Sequence, residues 1–442
     1  MLYLASAFKI DHYFLAISHM DVRGNLLVTD YFNNFNTDQP DFAGMRFLAL
    51  EAEKASALAK KDFNADVYIR YPFKKCVSAV KDGGSLDSLH SLTRDLTYKG
   101  VQWKFVDDEN PCDAPVIELG SDMKYTIDGK AFDISSIRAA VTIEDVHGNA
   151  VKGIFVRSFS DGSLLILNLF APEGEYKING KAVYLDKYAA LTTLDSQERV
   201  KSELRPTFDV KYCNDNIIRT MHLNSMPSAE ICANVDTEIA ICVRNGENVC
   251  LNGVEIKCES DPLPLSDGMR ALYKMSDRLT LKKGLSVVNT ENDLKYLPSV
   301  FLCGDFSYSV TNADTCRISL TGRKLTYICG ESLYDYGRIE LTGKVLVPDG
   351  ARQLELYGTE LYTTVYADGV LLGERIASPY VFEIDSSLWN KTVDLKIVQC
   401  SSMAPIFGDV DYWDKMSERS QWRGTPSPEK CSFGFENLCW SF

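Results

Sequence analysis

The spacing of apolar residues changes twice along the chain, and each change predicts a different kind of structure. Residues 38–60 carry apolar residues at helical spacing, which predicts a surface helix. Residues 61–120 alternate short apolar runs with a leucine-spaced segment that stops at Gly100. This alternation indicates a small Rossmann-like α/β unit with a parallel sheet. From residue 121 onward, apolar and polar positions alternate as in half-buried β-strands.

Turn signals in this last part support an all-β interpretation. Asn-Gly and Asp-Gly pairs tolerate the positive φ angles that tight hairpins need. Eight such pairs occur after residue 120, at 128–129, 161–162, 179–180, 245–246, 252–253, 267–268, 349–350 and 368–369. Alternating strands joined by tight hairpins predict stacked β-sandwiches.

Two segments of the β-rich part repeat one order of elements. Residues 249–291 and 364–399 each run strand, Asx-Gly turn, strand, aromatic-led strand, polar turn and closing strand. We therefore predict tandem jelly-roll domains over 206–298 and 299–412, an accessory β-sandwich over 121–205, and a C-terminal tail over 413–442. The fold class expected is multidomain and mainly β, with the small α/β unit preceding the sandwiches.

The composition of the chain restricts the partners and cofactors that we expect. The 442 residues have a net charge of −14, which disfavours nucleic acid as a partner because polyanions need clustered Lys and Arg. No apolar run reaches the roughly 20 residues of a membrane helix, so no membrane partner is expected. The 13 scattered cysteines are typical of reduced thiols in a cytoplasmic protein. The five histidines lack ligand spacing and no Gly-x-Gly-x-x-Gly follows a strand, so we expect neither a metal nor another cofactor.

The second copy of the repeat carries a family resemblance. Its segments "ADGVLLGE" and "SPYVFEIDSSLWNKTVDLKIVQ" resemble the sugar-binding, galactose-binding-like jelly-roll of family 2 glycoside hydrolases. They are also similar to modules of family 106-like α-L-rhamnosidases. Those families have a Gly in the polar turn, where this chain has Asn390-Lys391.

The order of the remaining segments extends this resemblance over most of the chain. Residues 1–60 look like the end of a TIM barrel, residues 61–120 like the α/β insert beside it, and residues 121–205 like the accessory β-domain that follows. The resemblance implies a C-terminal, non-catalytic portion of a glycoside hydrolase that supports the barrel and binds a plant-type glycan. Both catalytic carboxylates of such enzymes come from earlier barrel strands, so we expect none here and leave the enzyme class open. The alternative is a stand-alone carbohydrate-binding or assembly protein, and self-association stays open.

Two groups of residues are candidates for substrate binding. His19, Asp21, Arg23 and Asn25 follow the apolar "YFLAI" run and would lie at the carboxyl end of a barrel strand, where barrel active sites form. The competing interpretation is that Asp21 and Arg23 only pin a loop by an ion pair. Trp389 and Trp413 could stack on the apolar face of a sugar, although packing in a sandwich is the more frequent role of such residues.

Overall fold

A computed structural model describes most of the chain in two compact units. One unit holds residues 1–13 and 49–198, and the other holds residues 14–48 and 199–442. The described residues are 2–12, 19–20, 26–27, 42–71, 73, 87–107, 112, 114–119, 124–131, 133–186, 189–192, 199–201, 206–219, 228–244, 248–261, 273–290, 300–312, 317–333, 335–401 and 432–442. The chain is mainly β and multidomain, as its pattern predicts.

The first unit begins with a mixed α/β sheet in the strand order β4-β3-β5-β6-β7. Strands β4, β3 and β5 run parallel, and β6 and β7 add an antiparallel hairpin. Helix α3 covers one face through Leu89, Leu92 and Leu96, and Gly100 follows its end at φ +79°, as the sequence predicts. The elements are β3 (Val67–Arg70), α3 (Asp87–Tyr98), β4 (Trp103–Val106), β5 (Val116–Leu119), β6 (Tyr125–Ile127) and β7 (Lys130–Ala131).

A small β-sandwich completes this unit. Its two three-stranded sheets, β12-β11-β8 and β13-β10-β9, share one apolar core. Helix α1 and the end of α2 supply Ala7 and Leu58 to a second core against Phe155 and Leu167. The elements are α1 (Leu2–Ala7), α2 (Met45–Ala59, of which residues 49–59 belong to this unit), β8 (Ile143–Asp145), β9 (Ile154–Ser158), β10 (Leu164–Asn168), β11 (Gly174–Ile178), β12 (Lys181–Leu185) and β13 (Ala190–Leu191).

The second unit contains a first jelly-roll-like sandwich, here named sandwich A. Its sheets run β16-β25-β18-β22-β21, with β23 beside β18, and β20-β19-β24-β17-β27-β26. Among the described residues of this sandwich, fifteen buried side chains form one core between the sheets. The strands are β16 (Asn216–Arg219), β17 (Ser228–Ala233), β18 (Thr237–Arg244), β19 (Val249–Leu251), β20 (Val254–Ile256), β21 (Cys258–Ser260), β22 (Tyr273–Ser276), β23 (Leu279–Leu281), β24 (Gly284–Thr290), β25 (Val300–Gly304), β26 (Ser307–Asn312) and β27 (Arg317–Thr321).

The same unit contains sandwich B, with sheets β28-β15-β29-β34-β31-β32 and β14-β35-β30-β33. Phe208, Tyr327 and Phe435 stack in its core with ring centroids 5.4 to 6.2 Å apart. The strands are β14 (Arg199–Lys201), β15 (Thr207–Tyr212), β28 (Thr326–Ile328), β29 (Arg338–Leu346), β30 (Gln353–Tyr357), β31 (Tyr362–Ala367), β32 (Val370–Arg375), β33 (Tyr380–Glu383), β34 (Thr392–Cys400) and β35 (Asn437–Ser441); a separate hairpin joins β1 (His19–Met20) and β2 (Leu26–Leu27).

Strand pairing crosses the domain boundaries expected from the sequence. Strand β15 pairs in sandwich B although it was assigned to the first jelly-roll, and β25 to β27 pair in sandwich A although they follow residue 298. Strands β14 and β35, expected in the accessory domain and the tail, pair with each other inside sandwich B. The hairpin of β6 and β7 joins the α/β sheet and not the accessory sandwich. Sequence order misplaces these strands because hydrogen bonding with distant strands decides which sheet they join.

The predicted repeat is confirmed in its hairpin and closing strand. Strand β19 pairs with β20 across the Asn252-Gly253 turn and with β24 on its other side. Strand β31 pairs in the same way with β32 across Asp368-Gly369 and with β34. All four turn residues have positive φ angles between 47° and 80°. The two sandwiches therefore contain the same three-stranded unit at the edge of a six-stranded sheet.

Candidate functional site

The carboxyl ends of two parallel strands bring Tyr71 and Phe105 together. Ile69 and Phe105 are partners in the register of β3 and β4, and the Tyr71 N–H donates to the Val106 carbonyl at 3.0 Å. The two rings meet edge to face, with centroids 5.3 Å apart and planes at 87°. Ligands of open parallel sheets bind at this end of the strands.

These rings belong to a continuous row of aromatic side chains, here named the aromatic edge: Phe8, Tyr71, Trp103 and Phe105. Phe105 contacts Trp103 at 5.2 Å between centroids, and Trp103 contacts Phe8 at 5.6 Å. Trp103 is buried, and its indole N–H donates to Thr97 Oγ1 on α3 at 3.0 Å. Tyr71 and Phe105 remain 41% and 46% exposed, so a buried ring supports two exposed ones.

Charged groups lie on the other face of the same strand ends. Arg70 Nε donates to Glu118 Oε1 at 2.8 Å, and Arg70 Nη1 donates to the Asp107 carbonyl at 2.9 Å. Side chains alternate across a strand, so this pair faces away from Tyr71 and Phe105 while sharing their edge. The edge therefore combines apolar rings with hydrogen-bonding groups.

A buried guanidinium anchors the Phe8 end of the row. Arg157 is 1% exposed, and its Cζ lies 3.9 Å from the centroid of Phe63 and 5.5 Å from that of Phe8. It donates from Nε to the Ala7 carbonyl at 3.2 Å and from Nη1 to Gln102 Oε1 at 3.1 Å. Burial lowers the pKa of Arg157 to about 10, which leaves it charged at neutral pH. The contacts fix α1 and Phe8 beside Trp103.

Lys104 also lies close to the Phe63 ring that Arg157 contacts. Lys104 Nζ lies 4.5 Å from the centroid of Phe63 and donates to Asp62 Oδ1 at 3.2 Å. This hydrogen bond is the main cause of the lowered pKa of Asp62. The cations Arg157 and Lys104 thus lie near the same phenyl ring, which favours a fixed ring position.

The residues predicted from the sequence lie elsewhere or outside the described residues. His19 lies on β1, opposite Leu27 on β2. Asp21, Arg23, Asn25 and Trp413 lie outside the described residues. Trp389 ends a 3₁₀ turn in sandwich B, where it packs against the core and donates from Nε1 to the Ala351 carbonyl at 2.6 Å. A sugar-binding role for these residues stays a prediction.

Sequence reasoning missed the aromatic edge because its members are far apart in the chain. The segments "ADVYIRYPF" and "VQWKFVDDE" contain the strands β3 and β4, and each segment has an aromatic residue near the carboxyl end of its strand, Tyr71 and Phe105. Once the strands are known to be parallel neighbours, those aromatics must lie together at one edge. The positions of these aromatic residues in the sequence therefore indicate the edge only when the pairing of the two strands is known.

The described residues bear on metal binding, membrane insertion and thiol chemistry. No group of three or more His, Cys, Asp or Glu among them could hold a metal ion. None of the helices found in the described part has the length and apolarity needed to cross a membrane. Ten cysteines in these ranges are free thiols. Burial raises the pKa of Cys303 to about 12 and that of Cys258 to about 11, which makes both poor nucleophiles.

Comparison with known proteins does not assign the chain to a family. No family model and no curated protein matches it. The rhamnosidase from Novosphingobium sp. PP1Y aligns at 10% identity and a TM-score of 0.34, over 99% of this chain and 45% of its own. The Streptomyces avermitilis α-L-rhamnosidase complexed with L-rhamnose aligns at 10% identity and 0.19, over 62% and 31%. An anti-sigma factor domain-containing protein aligns at 10% and 0.15, over 52% and 100%. This chain thus spans less than half the length of the first rhamnosidase.

Proposed function

We propose that this chain is a non-catalytic, carbohydrate-binding portion of a glycoside hydrolase, and that the aromatic edge contacts the sugar. The observation that carries the proposal is the pair of exposed rings, Tyr71 and Phe105, held at the carboxyl ends of parallel strands. An aromatic face packs against the C–H face of a pyranose, and the support from Trp103 fixes the ring before binding.

The charge of the chain favours a neutral ligand over an acidic one. A net charge of −14 repels polyanionic glycans at long range, although Arg70 lies at the edge. On the face of the rings, the Tyr71 hydroxyl can exchange hydrogen bonds with sugar hydroxyl groups, which both donate and accept. Neutral plant-type oligosaccharides and glycosides are therefore the proposed ligand class.

Binding to the purified chain tests this proposal. Calorimetry with a panel of neutral rhamnosides and galactosides is expected to detect a saturable ligand, and Tyr71→Ala or Phe105→Ala should weaken its binding about tenfold, because one stacking contact is lost. Phe170→Ala is the matched control, since Phe170 is 74% exposed elsewhere in the same unit and should not affect binding. Equal affinity of all three variants would contradict the assigned site, and no binding by the unmodified chain would contradict the function.

A hydrolysis assay distinguishes an accessory portion of a glycoside hydrolase from a stand-alone carbohydrate-binding protein. A chain that binds a glycan, and that raises the activity or stability of a catalytic barrel added in trans, is an accessory portion of an enzyme. A chain that binds the same glycan without any effect on such a barrel is a stand-alone binding protein. The assay measures release of the aglycone from aryl glycosides with and without this chain.

A further inference from the structure

A short segment from early in the chain packs on sandwich B. It comprises the 3₁₀ turn Phe42–Gly44 and the first turn of α2, residues 45–48, and it is here named the strap. The strap and sandwich B both belong to the second unit. Tyr362, which the strap contacts, lies on β31 three positions before Val365 of the core, so the two side chains point to opposite faces of the sheet. The strap therefore lies on the face of the six-stranded sheet that is opposite the core.

The strap fits this face closely at a glycine. Gly44 is buried, and a Cβ at this position would lie 2.9 Å from Ile376 Cδ1 and 3.1 Å from Tyr362 Cδ2. The ring centroid of Phe47 lies 6.4 Å from that of Tyr362. Tyr362 is accordingly buried, although it points away from the core. The site thus accepts a glycine that is followed three residues later by an aromatic ring.

An ion pair adds charge complementarity to this contact. Arg46 Nη2 on the strap donates to Glu374 Oε2 on β32, and Arg46 Cζ lies 4.9 Å from the centroid of Phe47. The side chain of Glu374 is 12% exposed, whereas that of Arg46 is 64% exposed. The guanidinium therefore reaches a largely covered carboxylate from the solvent side. A covered carboxylate favours a cation beside it and disfavours an acidic residue.

The route of the chain makes this contact a long-range one. Arg46 and Glu374 are 328 residues apart. Between the strap and the first strand of sandwich B, residues 49–198 form the first unit, which has apolar cores of its own. No short loop therefore ties the strap to its site. A second copy that supplies the same strap makes identical contacts, so an exchange between copies costs the entropy of association but loses no contact.

We propose that the strap site of sandwich B also accepts the strap of a second copy, so that two chains form a strap-exchanged dimer. The exchange is reciprocal, because the strap of each copy lies on β31 and β32 of the other. The occupant is specific, since it must present the spacing of Gly44, Arg46 and Phe47 to Tyr362 and Glu374. The dimer forms at protein concentrations that offset the entropy of association, and it does not depend on a carbohydrate ligand.

Charge reversal on the full chain tests the exchange. Arg46→Glu and Glu374→Arg each bring like charges together, both within one chain and in a dimer of identical chains. In an equimolar mixture of the two variants, exchange pairs the introduced glutamate with the introduced arginine, and the unchanged Arg46 with the unchanged Glu374. Both contacts are then attractive. Sedimentation velocity over a concentration series is expected to give the mixture a dissociation constant about tenfold lower than that of either variant alone.

Two controls accompany the mixture. The double variant Arg46→Glu with Glu374→Arg restores the attraction within one chain and should associate like the unmodified chain. Lys344→Glu mixed with Asp394→Lys reverses an exposed pair of the same sheet that is not part of the strap site, and this mixture should gain nothing. A strap-site mixture that is no more dimeric than its single variants would overturn the proposal, and so would an equal gain in the control mixture.

Cross-linking gives a second test that needs no charge reversal. In Arg46→Lys the cation is kept, and a carbodiimide can join the new amine to the Glu374 carboxylate without a spacer. Chains labelled with ¹⁵N and unlabelled chains of this variant are mixed at high concentration, cross-linked and digested. Mass spectrometry is expected to find linked peptides with one labelled and one unlabelled partner, in a share that rises with protein concentration. Linked peptides whose partners always carry the same label, at every concentration, would overturn the proposal.

Discussion

Asn252 and Val287 exchange two hydrogen bonds across the edge of sandwich A: the Asn252 N–H donates to the Val287 carbonyl, and the Val287 N–H donates to Asn252 Oδ1, each at 2.8 Å. Asp368 and Asp394 make the same exchange in sandwich B, at 3.0 and 2.8 Å. Asn179 and Thr142 repeat it in the accessory sandwich, at 3.0 and 2.9 Å. In each case the first turn residue of a hairpin is fixed to a third segment, which is β24 in sandwich A, β34 in sandwich B and the residue before β8 in the accessory sandwich.

The first prediction concerns the pair of hydrogen bonds between Asn252 and Val287, here named the clasp. Asn252→Ala should lower the free energy of unfolding by about 1–2 kcal/mol, because the Val287 N–H loses its acceptor and alanine disfavours the φ of +52°. Urea denaturation measures the change. Asn252→Asp keeps the acceptor, as Asp368 does, and should stay close to the unmodified chain. An alanine variant as stable as the aspartate variant would show that the clasp contributes nothing.

The second prediction concerns the buried guanidinium. Arg157→Lys should destabilise the first unit by about 2 kcal/mol, because an ammonium cannot stack on Phe63 while donating to both the Ala7 carbonyl and Gln102 Oε1. Hydrogen exchange in α1 should accelerate as Ala7 is released. The matched control is Arg94→Lys, whose side chain is 58% exposed, and its effect should be within error. Comparable effects of the two substitutions would contradict a special role for Arg157.

The third prediction uses two glycines with different surroundings. A Cβ at Gly343 on β29 would lie 2.8 Å from Phe208 Cδ1 and 2.9 Å from the Thr207 carbonyl oxygen, whereas a Cβ at Gly322 would meet nothing within 4 Å. Gly343→Ala should therefore lower the free energy of unfolding by about 2 kcal/mol or more, because the added methyl group overpacks the core. Gly322→Ala should leave the free energy of unfolding unchanged. Thermal unfolding of both variants tests this. A neutral Gly343→Ala would mean that β15 shifts freely away from β29.

The fourth prediction concerns stability against pH. Burial raises the pKa of Asp335 to about 7 in the folded chain, above that of an unfolded Asp near 4, so the folded chain binds the proton more tightly. Its contribution to stability is complete below pH 4 and is lost as the pH rises through 7. As the pH falls from 7 to 5, the free energy of unfolding of the unmodified chain should rise, relative to that of Asp335→Asn, by on the order of 1 kcal/mol per pH unit.

Denaturant titrations at pH 8, 7, 6 and 5 measure this difference. A difference between the two proteins that does not vary with pH would contradict the raised pKa of Asp335.

Local features of this protein follow from the sequence alone. The Asn252-Gly253 and Asp368-Gly369 turns, the stop of α3 before Gly100, and the repeated three-stranded unit were all predicted correctly. Each depends on the backbone preferences of one or two residues or on the alternation within one strand. Neighbouring residues carry that information, so no knowledge of the tertiary structure is needed.

Only the tertiary structure decided which distant segments meet. Strand β15 joins sandwich B through its pairing with β29, and Tyr71 meets Phe105 only because β3 and β4 are parallel neighbours. Charged residues show the same limit: Arg157 and Arg323 look like surface residues in the sequence, yet both are buried where rings, carbonyls or Asp335 surround them. Their burial is favourable only after those partners have assembled, and partners separated by up to 150 residues leave no local signal in the chain.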